Sequence, residues 1–167
     1  MCFNAGRSLK INQIRSNVYP IRVSTKAIIY RDETILCSHY RADNLDYYIL
    51  PGGGVNGEEM AAEAVVREVL EETGYTIEVD ELAFVREFIP ARLGSHRFRE
   101  KFHQLELFFI CSLVKQAPQE PTEHDVNQVG CDWVSLAHLA DYKFYPTTMI
   151  ESIRRRDFSR RYVGNAR

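Results

Sequence analysis

The chain has 167 residues, enough for one domain that buries a core without disulfides or a structural metal. Hydrophobic residues make up 45% and charged residues 26%, an ordinary balance for a globular domain, and the formal net charge of −2 argues against non-specific binding of the whole chain to nucleic acid or an anionic membrane. The four cysteines, Cys2, Cys37, Cys111 and Cys131, include no C-x-x-C pair, which excludes a zinc ribbon and gives no support to a secreted disulfide framework.

Residues 1–19 are polar with only weak periodicity (Leu9, Ile11, Ile14, Val18) and lack the apolar stretch of a signal peptide. They read as an N-terminal extension, with the domain itself at 20–167. No apolar run approaches the ~20 residues of a membrane span. Cys37 and Cys111 lie in apolar, strand-like runs as buried free thiols, so the expected setting is the reducing cytoplasm, with no membrane partner. Strands are predicted at 21–30 and 34–40, around a turn at Arg31-Asp32-Glu33. A short aromatic strand at 47–50 is stopped by Pro51 and three glycines.

The period then changes. Between 58 and 73, Ala62, Val65, Val66, Val69 and Leu70 recur at helical spacing. Asn56 with Glu59 makes a capping-box pattern, and Gly74 is placed to end the helix in a left-handed conformation. Strands are predicted at 75–79, 82–89 and 102–114, with a polar loop at 94–101. A proline-bearing loop covers 116–130, followed by a strand at 131–134 and a brief helix capped by Ser135. The last helix begins after Pro146, with Thr148 and Glu151 as a second capping box and Arg154, Arg155 and Arg156 at its negative end.

The first helix carries the chemistry. At about 100° per residue, Glu68, Glu71 and Glu72 share a face roughly 100° wide, beside an apolar stripe centred about 130° from Glu68. Such crowding of like charge is costly unless a hard divalent cation removes it, and carboxylate oxygens suit magnesium. Arg67 is the one cation in the group and can pair with Glu63 or Glu71, each four residues away. Taken alone the acidic face reads more readily as a solvated helix surface, and Gly52-Gly53-Gly54 reads equally as a plain turn or as backbone exposed to a phosphate or metal.

Taken together they are more specific. Gly53 to Tyr75 reads GGVNGEEMAAEAVVREVLEETGY and resembles the Nudix box, G-x5-E-x7-R-E-U-x-E-E-x-G-U. Gly53, Glu59, Arg67, Glu68, Val69, Glu71, Glu72 and Gly74 fall in register, and Tyr75 replaces the usual aliphatic residue. The resemblance implies an α/β fold, an α/β/α sandwich around a mixed β-sheet with the box as loop–helix–loop. It implies hydrolysis of a nucleoside diphosphate linked to another moiety, using Mg2+ or Mn2+. By position, Gly53, Glu68, Glu71 and Glu72 match the metal site, Arg67 the supporting arginine, and Glu59 an earlier glutamate that reads chiefly as the helix cap.

A metal-activated water would attack phosphorus, with a carboxylate taking its proton. Glu71 and Glu72 are candidates, as are Glu120, Glu123 and Asp125 in the proline-bearing loop, Glu123 being preferred. Arg97 and Arg99 in the basic loop, with neighbouring Arg92, His96, Lys101 and His103, are expected near the substrate's phosphates. Tyr48, with Tyr47, Phe88 and Phe98 as alternatives, is expected to stack on a base. The expected partner is a small nucleotide rather than a nucleic acid, and a homodimer through residues 1–19 is left open. Two other readings stand beside the hydrolase: a non-enzymatic nucleotide sensor on the same fold, and an RNA 5′-end pyrophosphohydrolase.

Overall fold

The computed structural model describes residues 20–93, 102–114, 118–122 and 125–165. In chain order the elements are β1 (Arg22–Arg31), β2 (Thr34–Ala42), β3 (Leu45–Ile49), α1 (Ala61–Thr73), β4 (Ile77–Phe88), β5 (Gln104–Leu113), β6 (Gln128–Ser135), β7 (Phe144–Tyr145), α2 (Ile150–Arg155) and β8 (Tyr162–Asn165). Short 3-10 turns at Pro90–Leu93, Leu136–His138 and Thr147–Met149 link them. The strands form one mixed sheet in the order β7-β3-β2-β1-β5-β4-β8, with β6 pairing to β2 off this path.

One break in the ladder makes room for the candidate site. β1 and β2 pair only at Tyr30 with Ile35 and Arg31 with Thr34, next to their connecting turn. Beyond that point the strands part, and residues 51–55 take the place of β2 along β1. Ala27 N donates to Pro51 O at 2.9 Å, Thr25 N to Gly53 O at 2.8 Å, and Val55 N to Val23 O at 3.1 Å. The glycine loop is thereby fixed by main-chain bonds on one side while α1 leaves it on the other. β2, freed from β1, pairs instead with β3 and β6.

Strand periodicity divides the core into two layers. Ala27 and Ile29 of β1 and Leu36 of β2 pack with Val65 and Val69 of α1. Their neighbours Ile28, Ile35 and Cys37 face the other way, against Phe84, Phe108, Leu139, Phe144, Met149 and Ile153. The sheet is thus covered by α1 on one face and by α2 with its flanking turns on the other, the sandwich that the resemblance implies. Cys37 and Cys111 are buried free thiols, as their strand positions predict.

Several local expectations need correction. The strands predicted at 75–79 and 82–89 are one strand, β4, whose register against β5 shifts twice, between Val79 and Glu81 and between Leu82 and Phe84. The exposed Asp80, Glu81 and Leu82 break the alternation there without breaking the pairing. β7 and β8 were not predicted, and each joins a strand edge in parallel, β7 on β3 and β8 on β4. No side-chain cap starts α2: Glu151 instead accepts a bond from Arg155 Nε at 2.5 Å within the helix.

Candidate functional site

Helix α1 starts later than the capping pattern predicts. Its N-cap is Met60, in extended conformation, and Glu63 Oε2 accepts from Met60 N at 2.9 Å. Glu59 lies before the helix and is not its cap. One of its oxygens does accept from Asn56 N at 3.0 Å. Its main partner is Arg67, whose Nε and Nη2 donate to the two Glu59 oxygens at 2.8 and 3.0 Å. That guanidinium, with help from the Asn56 amide, holds the Glu59 carboxyl down to about 2. At the other end Gly74 caps the helix at φ 72°, its N–H donating to Leu70 O at 2.9 Å, as predicted.

Arg67 is the hub of the acid cluster. Besides Glu59, its Nη1 donates to Glu68 Oε1 at 2.9 Å and to Glu71 Oε2 at 2.8 Å, and Nη2 reaches Gly54 O at 3.1 Å. The pairing with Glu71 follows the i,i+4 expectation, but Glu63 is taken by the Met60 amide and plays no part. Glu68 lies directly against Gly53: a Cβ at that glycine would meet Glu68 Oε2 at 2.3 Å. The bare backbone there lets the carboxylate sit close to the loop.

Glu72 is not on a solvent-facing flank. Measured from Glu68, the buried residues Ala64, Glu72, Val65, Val69 and Thr73 fall at about −40°, 40°, 60°, 100° and 140°. The buried arc is therefore centred about 60° from Glu68, not about 130°, and Glu72 lies inside it while Leu70 is exposed. Glu72 Oε2 accepts from Ser38 Oγ at 3.0 Å and from Gly52 N at 3.1 Å. Burial raises the pKa of its carboxyl, opposed by the nearby Lys26, the Gly52 amide and Ser38, and reinforced by Asp125. Lys26 in turn donates to Gly52 O. Ser38 and Lys26 carry no motif of their own in the sequence, and only the splaying of β1 from β2 reveals them, whereas Gly52 belongs to the glycine run the sequence singles out.

The proline-bearing loop closes the end of α1. Gln119 N donates to Gly74 O at 2.8 Å, Thr122 N to Glu71 O at 3.0 Å, and Gln128 Nε2 to Glu72 O at 3.3 Å. These bonds occupy carbonyls that a helix end leaves without partners. Asp125 is brought in by Tyr40, whose hydroxyl donates to Asp125 Oδ2 at 3.0 Å. Burial, and then the charges of Glu72 and Asp125, push the Tyr40 hydroxyl far above its ordinary range. Glu120 is exposed. Glu123, Arg97, Arg99, His96, Phe98 and Lys101 lie outside the described residues, as do residues 1–19.

Tyr48 is on the sheet face away from α1. It stacks on His39 at 4.6 Å and meets Tyr142 edge-on at 5.3 Å. Its neighbour Tyr47 points to the α1 side and stacks on Tyr40 at 5.3 Å, so Tyr47 is the nearer aromatic to the acid cluster. The C-terminal arginines are engaged locally: Arg154 and Arg155 with Glu151, Arg156 with Asp32 O, and Arg161 with Ala83 O. Among the described residues no three His, Cys, Asp or Glu side chains converge closely enough to hold a metal ion by themselves. No helix among them is long and apolar enough to cross a membrane.

Comparison with known proteins bears on this geometry. The family model described as NUDIX domain matches residues 20–155. A Bacillus subtilis (strain 168) protein named "Putative 8-oxo-dGTP diphosphatase" is 37% identical over 91 residues, covering 54% of this chain and 51% of that protein. The chain spans about half or less of the curated relatives it matches. A NUDIX hydrolase from Nitrosomonas europaea superimposes with a TM-score of 0.68 at 20% identity, covering 86% of this chain and 93% of that one. The MutT protein from Methanosarcina mazei Go1 does so with a TM-score of 0.63 at 25% identity, covering 87% and 97%.

Proposed function

Since the chain belongs to the NUDIX family, whose domain model covers residues 20–155, we propose that it is a divalent-metal-dependent pyrophosphohydrolase. Its substrate is a nucleoside diphosphate linked to another moiety, and the bond cut is a phosphoanhydride. The observation that carries this reading is the Arg67 hub. One guanidinium orients Glu59, Glu68 and Glu71 beside a glycine loop that leaves no room for a side chain at Gly53.

The donor set suits a hard cation. The candidate ligand atoms are oxygens, and Arg67 engages Oε1 of Glu68 and Oε2 of Glu71, leaving the second oxygen of each for a ligand. Gly53 O accepts one bond, from Thr25 N at 2.8 Å, and keeps a second lone pair. Two carboxylates and a carbonyl are what magnesium or manganese takes when waters and substrate phosphates complete the shell. Bound there, the ion would acidify a water and neutralise charge on the phosphate oxygens. Glu68, Glu71 and Gly53 would hold it, with Arg67 fixing the carboxylates as an outer support.

Glu72, seated between Ser38 and the Gly52 amide, offers a carboxylate that burial makes readier to take a proton. Asp125, held by Tyr40, and Glu123 remain the loop alternatives for that step. The leaving moiety is open: ADP-ribose, nucleotide sugars, dinucleoside polyphosphates and oxidised nucleoside triphosphates belong in one test panel, the last because of the name its B. subtilis relative carries. The test is phosphate or nucleoside monophosphate release from that panel with magnesium, manganese or EDTA. A nucleotide sensor would bind a member of the panel and turn over none. The RNA-end reading would require triphosphate-ended RNA to outcompete free nucleotides.

A further inference from the structure

On the sheet face opposite α1, strand register lays a polar field next to the glycine loop. Across β1, β5 and β4, Lys26 lies beside Phe108 and Phe84, Ser24 beside Glu106 and Arg86, and Arg22 beside Gln104, with Phe88 beyond it. The first row borders the apolar core, and the next two replace it with charge and amide. Ser24 is also bridged to Gly54, whose carbonyl accepts from Arg67. A continuous line therefore runs from the acid cluster, through the loop, to the middle of the sheet. From Ser24 to Arg86 it crosses two strand spacings, about 10 Å, a span on the scale of a nucleoside.

Arg86 and Glu106 are 7% and 5% exposed. Desolvating an ion pair is costly, and two apolar side chains would serve a core equally well. The pair is also poorly made for a structural role. Arg86 Nε lies 2.5 Å from Glu106 Oε2, but out of hydrogen-bonding alignment, so both buried atoms lack a hydrogen bond. Among the described residues the Arg86 Nη groups donate none either. Its guanidinium lies 5.1 Å over the Phe88 ring and 6.0 Å over that of Phe108. Glu106 Oε1 accepts from Gln104 Nε2 at 3.2 Å, an amide that also donates to Ser24 Oγ. Charge is cancelled here while directional donors and acceptors remain unused, next to flat rings.

Resting on the hydrolase reading above, we propose that the Arg86–Glu106 pair, with Gln104 and Phe88 beside it, reads the nucleobase of the substrate. A base edge sets a donor beside an acceptor: Glu106 accepts from the first and Arg86 donates to the second. A pair neutral overall favours such an edge over a further phosphate. The cations Arg22 and Lys26 lie on β1, toward the loop where the diphosphate is cut. A few precisely placed polar groups beside aromatic rings are what fix a ligand's orientation.

The test has a binding arm and a turnover arm. Calorimetry in EDTA measures the affinities of the four ribonucleoside monophosphates. kcat/KM with magnesium is then measured for nucleoside diphosphate sugars that share one sugar and differ in base. The wild-type chain is expected to favour one base at least tenfold in both arms. Glu106→Gln keeps the shape but alters the donor–acceptor pattern. It is expected to collapse that ratio at least tenfold, while kcat on the favoured substrate falls less than threefold. The double variant Arg86→Met with Glu106→Leu replaces both charges by apolar groups, retains its melting temperature and loses the discrimination. Base ratios within twofold of wild type in both folded variants overturn the proposal and leave the hydrolase reading intact. So does a change confined to a second panel that varies only the sugar. Absence of turnover by the wild-type chain on every substrate would instead remove the hydrolase reading, and the monophosphate affinities would then decide the proposal by themselves.

Discussion

Replacing Arg67 by methionine keeps the aliphatic stem and removes the guanidinium on which five hydrogen bonds end: two to Glu59 and one each to Glu68, Glu71 and Gly54 O. A hydrogen bond to a charged group contributes about 1.5–3 kcal/mol when buried. The Arg67 side chain is 29% exposed, so solvent screens these bonds and rehydrates the glutamates left behind. The net loss should be about 2–3 kcal/mol, below the ~3–5 kcal/mol for breaking a fully buried pair. In a domain of this size that corresponds to a melting temperature lower by roughly 4–12 °C. The assay is thermal unfolding in EDTA at a series of pH values. Arg67 holds the Glu59 carboxyl down to about 2 from an ordinary 4.5. A depressed carboxyl contributes stability above its unfolded pKa and loses it as pH falls through the folded one. The gap between wild type and Arg67→Met should therefore be widest above about pH 5 and should close toward about pH 2. A gap under ~1 °C at neutral pH, or one of equal size at pH 3 and pH 7, would refute the hub.

Other consequences follow from the same geometry. Burial raises the Glu72 pKa, so its relative stabilisation is complete below about 4.5 and is lost as pH rises through the folded value. Glu72→Gln should therefore melt higher than wild type at pH 8 in EDTA, with the advantage gone below pH 4.5. A lower melting temperature at pH 8 would contradict the burial argument. Gly53→Ala puts a Cβ 2.3 Å from the flexible end of Glu68, so stability should change little while turnover falls about tenfold to a hundredfold as the carboxylate moves aside. Unchanged kcat would count against Glu68. Gly74→Ala combines φ 72° with a Cβ 1.9 Å from the backbone oxygen of Gln119. It should cost about 2–3 kcal/mol in urea unfolding and speed amide exchange at Gln119 and Thr122. A cost under ~0.5 kcal/mol would mean that the loop does not dock on the helix end.

What could be read from the sequence was what local spacing encodes. Apolar periodicity from Ala62 to Leu70, the stop at Gly74 and the register of Gly53, Arg67, Glu68, Glu71 and Glu72 are all properties of one short segment, and the helix they predict is present. Tertiary placement was hidden. Nothing in an E-x-x-E-E pattern says that the sheet-facing arc includes Glu72, because that depends on where β1 and β2 part. The Glu59–Arg67 clamp spans eight residues across a turn, beyond any helical pairing rule, so the capping pattern captured Glu59 instead. Tyr47 and Tyr48 are adjacent on β3 and face opposite ways, and only pairing with Tyr40 and His39 shows which is which. β7 and β8 are two and four residues long and owe their existence to distant partners. Arg86 and Glu106 are single charges in two separate strands, and only register sets them opposite each other.

In the proposed reaction the acid cluster on α1 holds a divalent cation for cleavage of a nucleoside-diphosphate bond. The most direct measurement is product release from the nucleotide panel by wild type and Glu71→Gln, with magnesium added to the EDTA-treated protein. Expected are no turnover without metal, turnover of at least one substrate on adding magnesium, and a loss of about a hundredfold or more in the variant, which stays folded in EDTA with a melting temperature lower by no more than about 4 °C. Turnover that persists in EDTA, or that Glu71→Gln leaves at the wild-type rate, would contradict it.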